Sequence, residues 1–282
     1  MSVVTRFVPS PTGGLHLGHA YSALDAFDAA RTAGGRFLLR IEDIDQGRCR
    51  PEFEQGIYDD LMWLGLSWET PVRRQSDHFD DYKNALGRLS EMHLIYPCFC
   101  TRKDIAAEIE AAGGAPQGPD GPVYPGTCRH LSETERYERI EAGESYALRL
   151  DMTEAAARTG NLIWRDLNEG EITARPERFG DVVLARKDTP TSYHLAVTYD
   201  DDLQGVTLVT RGVDLFDATD VHRLLQALLG LDTPDYRHHK LLTGTDGKRL
   251  AKRDKAATLA DLRASGKTPD DVRDLIGWGR HA

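Results

Sequence analysis

The stretch Pro9-Ser10-Pro11-Thr12-Gly13-Gly14-Leu15-His16-Leu17-Gly18-His19 decides how the rest of the chain is read. A short apolar, β-branched run, Val3 to Val8, precedes it, and its prolines and glycines break that run. Behind it, Ala20, Leu24 and Phe27 are spaced for one apolar helix face. Gly34-Gly35 ends the helix, and Phe37-Leu38-Leu39-Arg40-Ile41 is the next strand. Strand, helix and strand at this length predict a parallel pair with a right-handed crossover. The glycine-rich loop then stands at a strand-to-helix junction, where ligands bind in open αβ sheets. A helix start offers unpaired N–H groups and a positive dipole end, which suit phosphate. His16 and His19, three apart, share one helix face and are placed to donate hydrogen bonds to phosphate oxygens. Gly18 between them leaves room for a nucleotide ring.

Further along, Ile57, Leu61 and Leu64 mark a second helix, and Phe79, Tyr82, Leu86 and Leu89 a third. From about Tyr96 the character changes, and Ala111 to Gly126 is too rich in glycine and proline for a regular element. Strand-like segments resume at Val182 to Ala185 and Val206 to Val209. A helix carrying Val221, Leu224, Leu225 and Leu228 follows, and the tail from Ala256 reads as short and helical.

The chain has 282 residues, enough for one large domain or two ordinary ones. Its 35 Lys and Arg against 45 Asp and Glu give a net charge of −10, which excludes a general polycation that coats nucleic acid. A polyanionic substrate then requires a locally basic site. Tyr236 to Lys255, with seven Lys or Arg against two Asp, is the candidate, and a solvated charged face is the alternative. No apolar run approaches the ~18 residues of a membrane span, and Met1 to Ser10 lacks the apolar core of a signal peptide. A cytoplasmic protein without membrane partners is expected.

The second strand ends in Arg40-Ile41-Glu42-Asp43, beside the end of the first. Glu42 and the run Arg6, Phe7, Val8, Pro9 and Ser10 therefore line one crevice with His16. A carboxylate there suits an ammonium group, and an arginine suits a carboxylate. Both signs in one pocket describe an amino-acid site; the alternative is a structural ion pair between Arg6 and an acidic neighbour. Of the four cysteines, Cys98, Cys100 and Cys128 cluster around the glycine-proline segment, while Cys49 reads as an unrelated thiol. Three thiolates suit zinc, and a tetrahedral site needs one more ligand, for which His130 is the ordinary chemical choice. Three reduced cysteines without metal are the alternative.

Ser10 to His19 resembles the "HIGH" motif of class I aminoacyl-tRNA synthetases in its glutamyl form, and Arg-Ile-Glu-Asp is similar to the same family. The resemblance implies that His16, Gly18 and His19 bind ATP and that the two histidines stabilise the adenylate-forming transition state. It implies glutamate contacts from Arg6, Phe7, Val8, Pro9, Ser10 and Glu42. Tyr193, after the turn Lys187-Asp188-Thr189-Pro190, and Arg211, after Val206 to Thr210, match two more pocket positions. Arg249-Leu250-Ala251-Lys252-Arg253 resembles the second motif, "KMSKS", imperfectly: Lys252 is retained as the ATP-binding and catalytic candidate, Ala251 replaces a serine, and Lys248 is an alternative phosphate ligand. The family's fourth zinc ligand implies Tyr124, with His130 kept as the alternative, around one structural Zn2+.

The expected fold is α/β: a Rossmann-type parallel-sheet catalytic core in two halves, 1–95 and 176–235. A zinc-bearing α+β subdomain is inserted at 96–175, and 236–282 forms a basic ATP loop and helical tail. The resemblance runs from Arg6 to Lys252, and 30 residues follow, too few for an anticodon-binding domain. The chain thus resembles the truncated paralogues, the glutamyl-queuosine tRNA(Asp) synthetases. That implies a monomeric ligase that activates glutamate with ATP and Mg2+ as glutamyl-adenylate. It then transfers the glutamate to the queuosine base in the anticodon loop of tRNA(Asp). Three other readings stand beside it: a fragment of an ordinary glutamyl-tRNA synthetase, a small-molecule nucleotidyltransferase sharing the His-x-Gly-His loop, and a non-catalytic tRNA-binding module.

Overall fold

The computed structural model describes residues 2–242 and 257–279. In chain order, β1 (Val4–Phe7), α1 (Leu17–Thr32), β2 (Arg36–Ile41), α2 (Pro51–Trp63), β3 (Glu69–Arg74) and α3 (Phe79–Glu91) build the first part. Then come β4 (Ile95–Cys98), α4 (Arg102–Ala111), the short pair β5 (Gln117–Gly118) and β6 (Gly121–Pro122), α5 (Glu133–Glu141), β7 (Ala147–Leu150), α6 (Met152–Thr159), β8 (Ile163–Asp166) and β9 (Gly170–Thr173). The chain continues through β10 (Val183–Ala185), α7 (Tyr193–Leu203), β11 (Leu208–Gly212), α8 (Ala218–Leu229), β12 (Asp235–His239), α9 (Leu259–Ala264) and α10 (Pro269–Leu275). Among the described residues, no helix is long and apolar enough to cross a membrane.

β1 pairs parallel with β2, and β2 with β3. β11 pairs parallel with β12, and β12 with β8, which carries the antiparallel β9. The two sheets meet edge to edge at β1 and β11, where the Thr207 N–H donates to the Val4 carbonyl at 3.0 Å and the Thr207 hydroxyl accepts from the Val4 N–H at 2.9 Å. The chain therefore builds outward from β1 in one direction and then in the other. The crevice between the carboxyl ends of β1 and β11 is a topological switch point, where such sheets bind ligands.

β4, β7 and β10 form a separate antiparallel sheet. The 96–175 limits are proposed on composition, and two ladders run across them: β10 joins β7, and β8 joins β12.

The apolar side chains sort into layers. Phe7, Leu24, Leu39 and Ile41 pack with Ile57 and Leu61 of α2 and with Leu259 and Val272 of the tail. A larger cluster joins Leu86 and Leu89 of α3 to Leu150, Leu184, Leu195, Val221, Leu224 and Leu225. Each fully buried aliphatic side chain of this kind contributes about 1.5–3 kcal/mol.

Charge is buried as well. Arg6, on β1, and Arg40, on β2, are 2 % and 0 % exposed. Both are held by Asp201 of α7: Arg6 Nε and Nη2 donate to its two oxygens at 3.1 and 3.3 Å, and Arg40 Nη2 lies 2.9 Å away. Next to it, Asp200 accepts from Arg73 Nε, Gln75 Nε2 and the Tyr82 hydroxyl at 2.8–2.9 Å. Two consecutive carboxylates of one helix thus pin β1, β2, β3 and α3 together.

Candidate active site

β1 delivers Phe7 to the turn Val8-Pro9-Ser10, and His16 caps α1 in extended backbone (φ −126°). The Gly18 N–H donates to His16 Nδ1 at 3.1 Å, and the His16 N–H donates to His19 Nδ1 at 3.2 Å. Each Nδ1 is thereby an acceptor, so each neutral ring carries its proton on Nε2. The rings stack with centroids 3.8 Å apart, tilted by 27°. A Cβ at position 18 would stand 3.0 Å from His16 Cε1, so the room that Gly18 leaves is taken by the His16 ring itself.

This helix start opens on a cleft of about 280 Å3. Its walls include Arg6, Phe7, Val8, Pro9, Ser10, His16, Gly18 and His19 from the β1–α1 side, and Tyr193, Thr210 and Arg211 from α7 and β11. Ten of the residues singled out from sequence thus meet in one place. Glu42 stands just behind the cleft wall, its N–H donating to the Pro9 carbonyl at 3.0 Å and its carboxylate 3.5 Å from Arg40 Nη2. Burial pushes its carboxyl up to about 7, against the opposing pull of Arg40 and Arg6.

Lys248, Ala251 and Lys252 lie outside the described residues. The residues flanking that segment sit at the cleft: Leu241 and Leu242 line it, and Thr258 forms a bridge with His16. Thr258 also packs so close to Gly14 that a Cβ there would meet it at 2.9 Å.

The arginines differ in their partners. Arg6 is neutralised by Asp201, so the structural ion pair is present, and its Nη1 also donates to the Thr210 carbonyl at 3.3 Å. Arg211, 5 % exposed, meets no carboxylate at ion-pair distance among the described residues. Its partners are neutral: His238, Tyr193, His222 and Thr219. A buried guanidinium that faces a cleft and, among the described residues, has only neutral direct partners suits a carboxylate. Sequence reading missed Asp201, His222, His238, Ser22 and Asp214. Of these, only Ser22 carried a signal, since it lies one helical turn after Gly18, whose carbonyl accepts its hydroxyl at 3.2 Å.

The cysteines converge separately. Cys98, Cys100 and Cys128 bring their Sγ atoms within 4.8 Å of one another, a cluster that could bind a metal. Tetrahedral Zn–S bonds of ~2.3 Å imply sulfur separations of roughly 3.8 Å, and Cys100 and Cys128 stand 3.4 Å apart. The Tyr124 hydroxyl lies 3.4 Å from Cys98 Sγ, 3.6 Å from Cys100 Sγ and 2.9 Å from the Cys128 N–H that donates to it. His130 is exposed and outside the cluster. Burial works to raise the Cys128 thiol, yet hydrogen bonds from Tyr124 and from the Phe99 N–H hold it below its ordinary value. Burial pushes the Cys100 thiol the other way, up to about 12, so the fit to a metal lies in the sulfur spacing and not in the acidity of the free thiols.

Residues 2–277 match the family described as tRNA synthetases class I (E and Q), catalytic domain. The chain is 53% identical over 280 residues to the Glutamyl-Q tRNA(Asp) synthetase of Rhodobacter capsulatus, covering 98% of this chain and 100% of that protein. It is 43% identical over 277 residues to the protein of the same description from Symbiobacterium thermophilum, covering 95% of this chain and 83% of the relative. The solved glutamate-tRNA synthetase of Elizabethkingia anophelis superposes with a TM-score of 0.83 at 28% identity. That match takes in 98% of this chain and 61% of the synthetase, so the chain spans about three fifths of the solved protein's length.

Proposed function

The chain belongs to the class I glutamate and glutamine tRNA synthetase catalytic-domain family, and we propose on that footing that it activates glutamate with ATP and transfers it to the queuosine base of tRNA(Asp). The single observation that carries the chemistry is the meeting of Arg211, a buried cation whose direct partners among the described residues are neutral, and the stacked His16–His19 pair in one cleft. Arg211 suits the side-chain carboxylate of glutamate, and the Tyr193 hydroxyl beside it, 3.4 Å from Arg211 Nη1, suits the same group. Glu42 in its ionised form suits the α-ammonium.

The α-carboxylate oxygen attacks the α-phosphorus of ATP and pyrophosphate leaves. Negative charge grows on the phosphate oxygens, where the Nε2–H groups of His16 and His19 and the start of α1 donate. Fixed donors of this kind cost no reorganisation as charge develops. A hydroxyl of the modified base then attacks the activated carbonyl carbon, forming the ester and releasing AMP. Lys252 is proposed as a further phosphate ligand. ATP arrives with its Mg2+ as co-substrate.

At the cysteine cluster we propose one structural Zn2+, held by Cys98, Cys100, Cys128 and Tyr124. A cation there would favour the phenolate, and Arg149 lies over the Tyr124 ring at 4.0 Å. Elemental analysis is expected to give about one zinc per chain, falling to none in Cys98→Ser, with a lower melting temperature and looser β4–β7–β10 amides in hydrogen exchange. A metal-free protein as stable as the wild type would remove this centre.

The pH dependence follows from Glu42, whose folded-state pKa of about 7 lies above its ordinary 4.5. Below pH 7 the carboxyl is neutral and holds an ammonium poorly. The kcat/KM for glutamate is therefore expected to rise with pH and level off above 7, with the value at pH 6 about tenfold under the plateau. For stability the sign is the reverse. The folded state keeps this proton where the unfolded chain has lost it, so stability falls between pH 4.5 and 7. Glu42→Gln is expected to flatten the kinetic profile at a low value and to melt higher than wild type at pH 8. A profile unaltered by Glu42→Gln would take Glu42 out of the site.

The function itself is tested by supplying radiolabelled glutamate, ATP and three RNAs: tRNA(Asp) with queuosine, the same tRNA with guanosine in its place, and tRNA(Glu). Label on the first alone is expected. Label on the 3′ end of tRNA(Glu) would mark an ordinary synthetase.

A further inference from the structure

Arg211 is fixed from behind by two buried imidazoles. Its Nε donates to His238 Nε2 at 3.1 Å, and its Nη1 to His222 Nδ1 at 3.2 Å. Nη2 donates to the Thr219 hydroxyl at 2.6 Å. His222, His238 and Thr219 are 2 %, 7 % and 0 % exposed. A guanidinium has no lone pair to offer, so a ring nitrogen facing it must be an acceptor. That requirement sets both tautomers. His238 carries its proton on Nδ1, which donates to Asp166 Oδ2 at 2.7 Å. His222 carries its proton on Nε2, which donates to His194 Nδ1 at 3.2 Å. Neither ring accommodates a second proton without turning a donor toward Arg211. Burial and the Arg211 charge act in the same direction, lowering the pKa of His222 well below its ordinary value and that of His238 to about 4.

The choice of neutral acceptors has a chemical consequence. Arg6, at the other side of the cleft, is neutralised by Asp201. Arg211 is held just as firmly, but among the described residues its direct partners are neutral, and the Asp166 carboxylate stands behind the His238 ring. We propose that His222 and His238 are positioning residues that make the cleft select an anionic side chain over its neutral amide, by fixing Arg211 without neutralising it. This deepens the function proposed above and rests on glutamate being the amino acid activated.

The test replaces the acceptor at His222 by two near-isosteric groups. In His222→Asn, a neutral oxygen takes the place of Nδ1; in His222→Asp, the same position bears a charge that Arg211 keeps ionised. Amino-acid-dependent exchange of pyrophosphate into ATP is measured with glutamate and with glutamine. The Asn variant is expected to keep the preference for glutamate. The Asp variant is expected to raise the KM for glutamate on the order of 30-fold, about 2 kcal/mol at 1.4 kcal/mol per tenfold, with kcat changed far less and the glutamine reaction barely affected. Circular dichroism and melting curves accompany both. Should His222→Asp not fold, His238→Gln and His238→Glu make the same comparison from the other side, since the glutamine amide oxygen replaces Nε2 without charge and the glutamate carboxylate adds one. Retained preference in Gln and a raised KM for glutamate in Glu support the proposal. Asn and Asp, or Gln and Glu, behaving alike toward the two amino acids would overturn it. A wild-type protein that shows no glutamate-driven exchange would instead refute the functional reading beneath it.

Discussion

Arg211→Leu is expected to lower kcat/KM for glutamate by at least about 10³-fold, or about 4 kcal/mol, while the chain still binds ATP. Among the described residues the side chain meets no carboxylate directly, and its loss removes the partner of a desolvated substrate carboxylate, an interaction whose truncation costs roughly 2–5 kcal/mol. Two results separate this from damage to the fold. Arg211→Lys keeps the charge but forfeits the planar fork that reaches His238, His222 and Thr219 at once; it is expected to recover only part of the activity. Glutamine, which lacks the charge, is expected to lose little from either change. If instead Arg211→Leu activates glutamate within tenfold of wild type, the carboxylate is bound elsewhere.

Asp201→Ala is expected to be the most destabilising single change in the core of the sheet. It strips the partner from Arg6 and one of the partners from Arg40, both buried. Leaving a buried ion unpaired costs about 3–5 kcal/mol, a large share of the ~5–15 kcal/mol that holds a typical protein folded. The melting temperature is expected to fall by roughly 10 °C. Burial opposes ionisation of Asp201, but Arg6 and Arg40 overcome it and hold the carboxyl below its ordinary value. Its stabilisation is present at neutral pH and lost as acid protonates it, so the deficit of the variant should shrink at low pH. An unchanged melt at pH 7 would show that Arg6 and Arg40 find other partners.

How much of this was legible in the sequence varies by element. β1, α1 and β2 were readable because their apolar residues repeat with the right period and glycines and prolines mark the joints. β12 was not, because the alternating buried positions are Tyr236 and His238, and histidine does not register as core. β3 was hidden by Pro71, Arg73 and Arg74. The run Asp200-Asp201-Asp202 reads as a solvated acidic face, yet its first two carboxylates are the buried counter-ions of Arg6, Arg40 and Arg73.

The site was legible where a contiguous motif carried it, as at Arg6 to Ser10 and His16 to His19. The groups that orient Arg211 come from α8 and β12, and no spacing announces a pair formed across sheet and helix. The cysteine cluster shows the same limit. Residue chemistry pointed to His130, and the resemblance to Tyr124. In the folded chain the left-handed turn at Gly126 (φ 89°) brings the Tyr124 hydroxyl back to Cys128, while His130 faces outward.

The proposed function comes down to one glutamate-activating cleft, formed by a helix start with two stacked imidazoles and by an arginine whose direct partners among the described residues are neutral. The most direct test is pyrophosphate exchange into ATP by wild type, His16→Ala and His19→Ala, with glutamate, glutamine, pantetheine phosphate and nicotinamide mononucleotide as candidate partners. Glutamate alone is expected to drive exchange, and each alanine variant to lose about a hundred- to a thousand-fold in rate. Exchange driven by one of the other compounds, or undiminished without the histidines, would contradict the account.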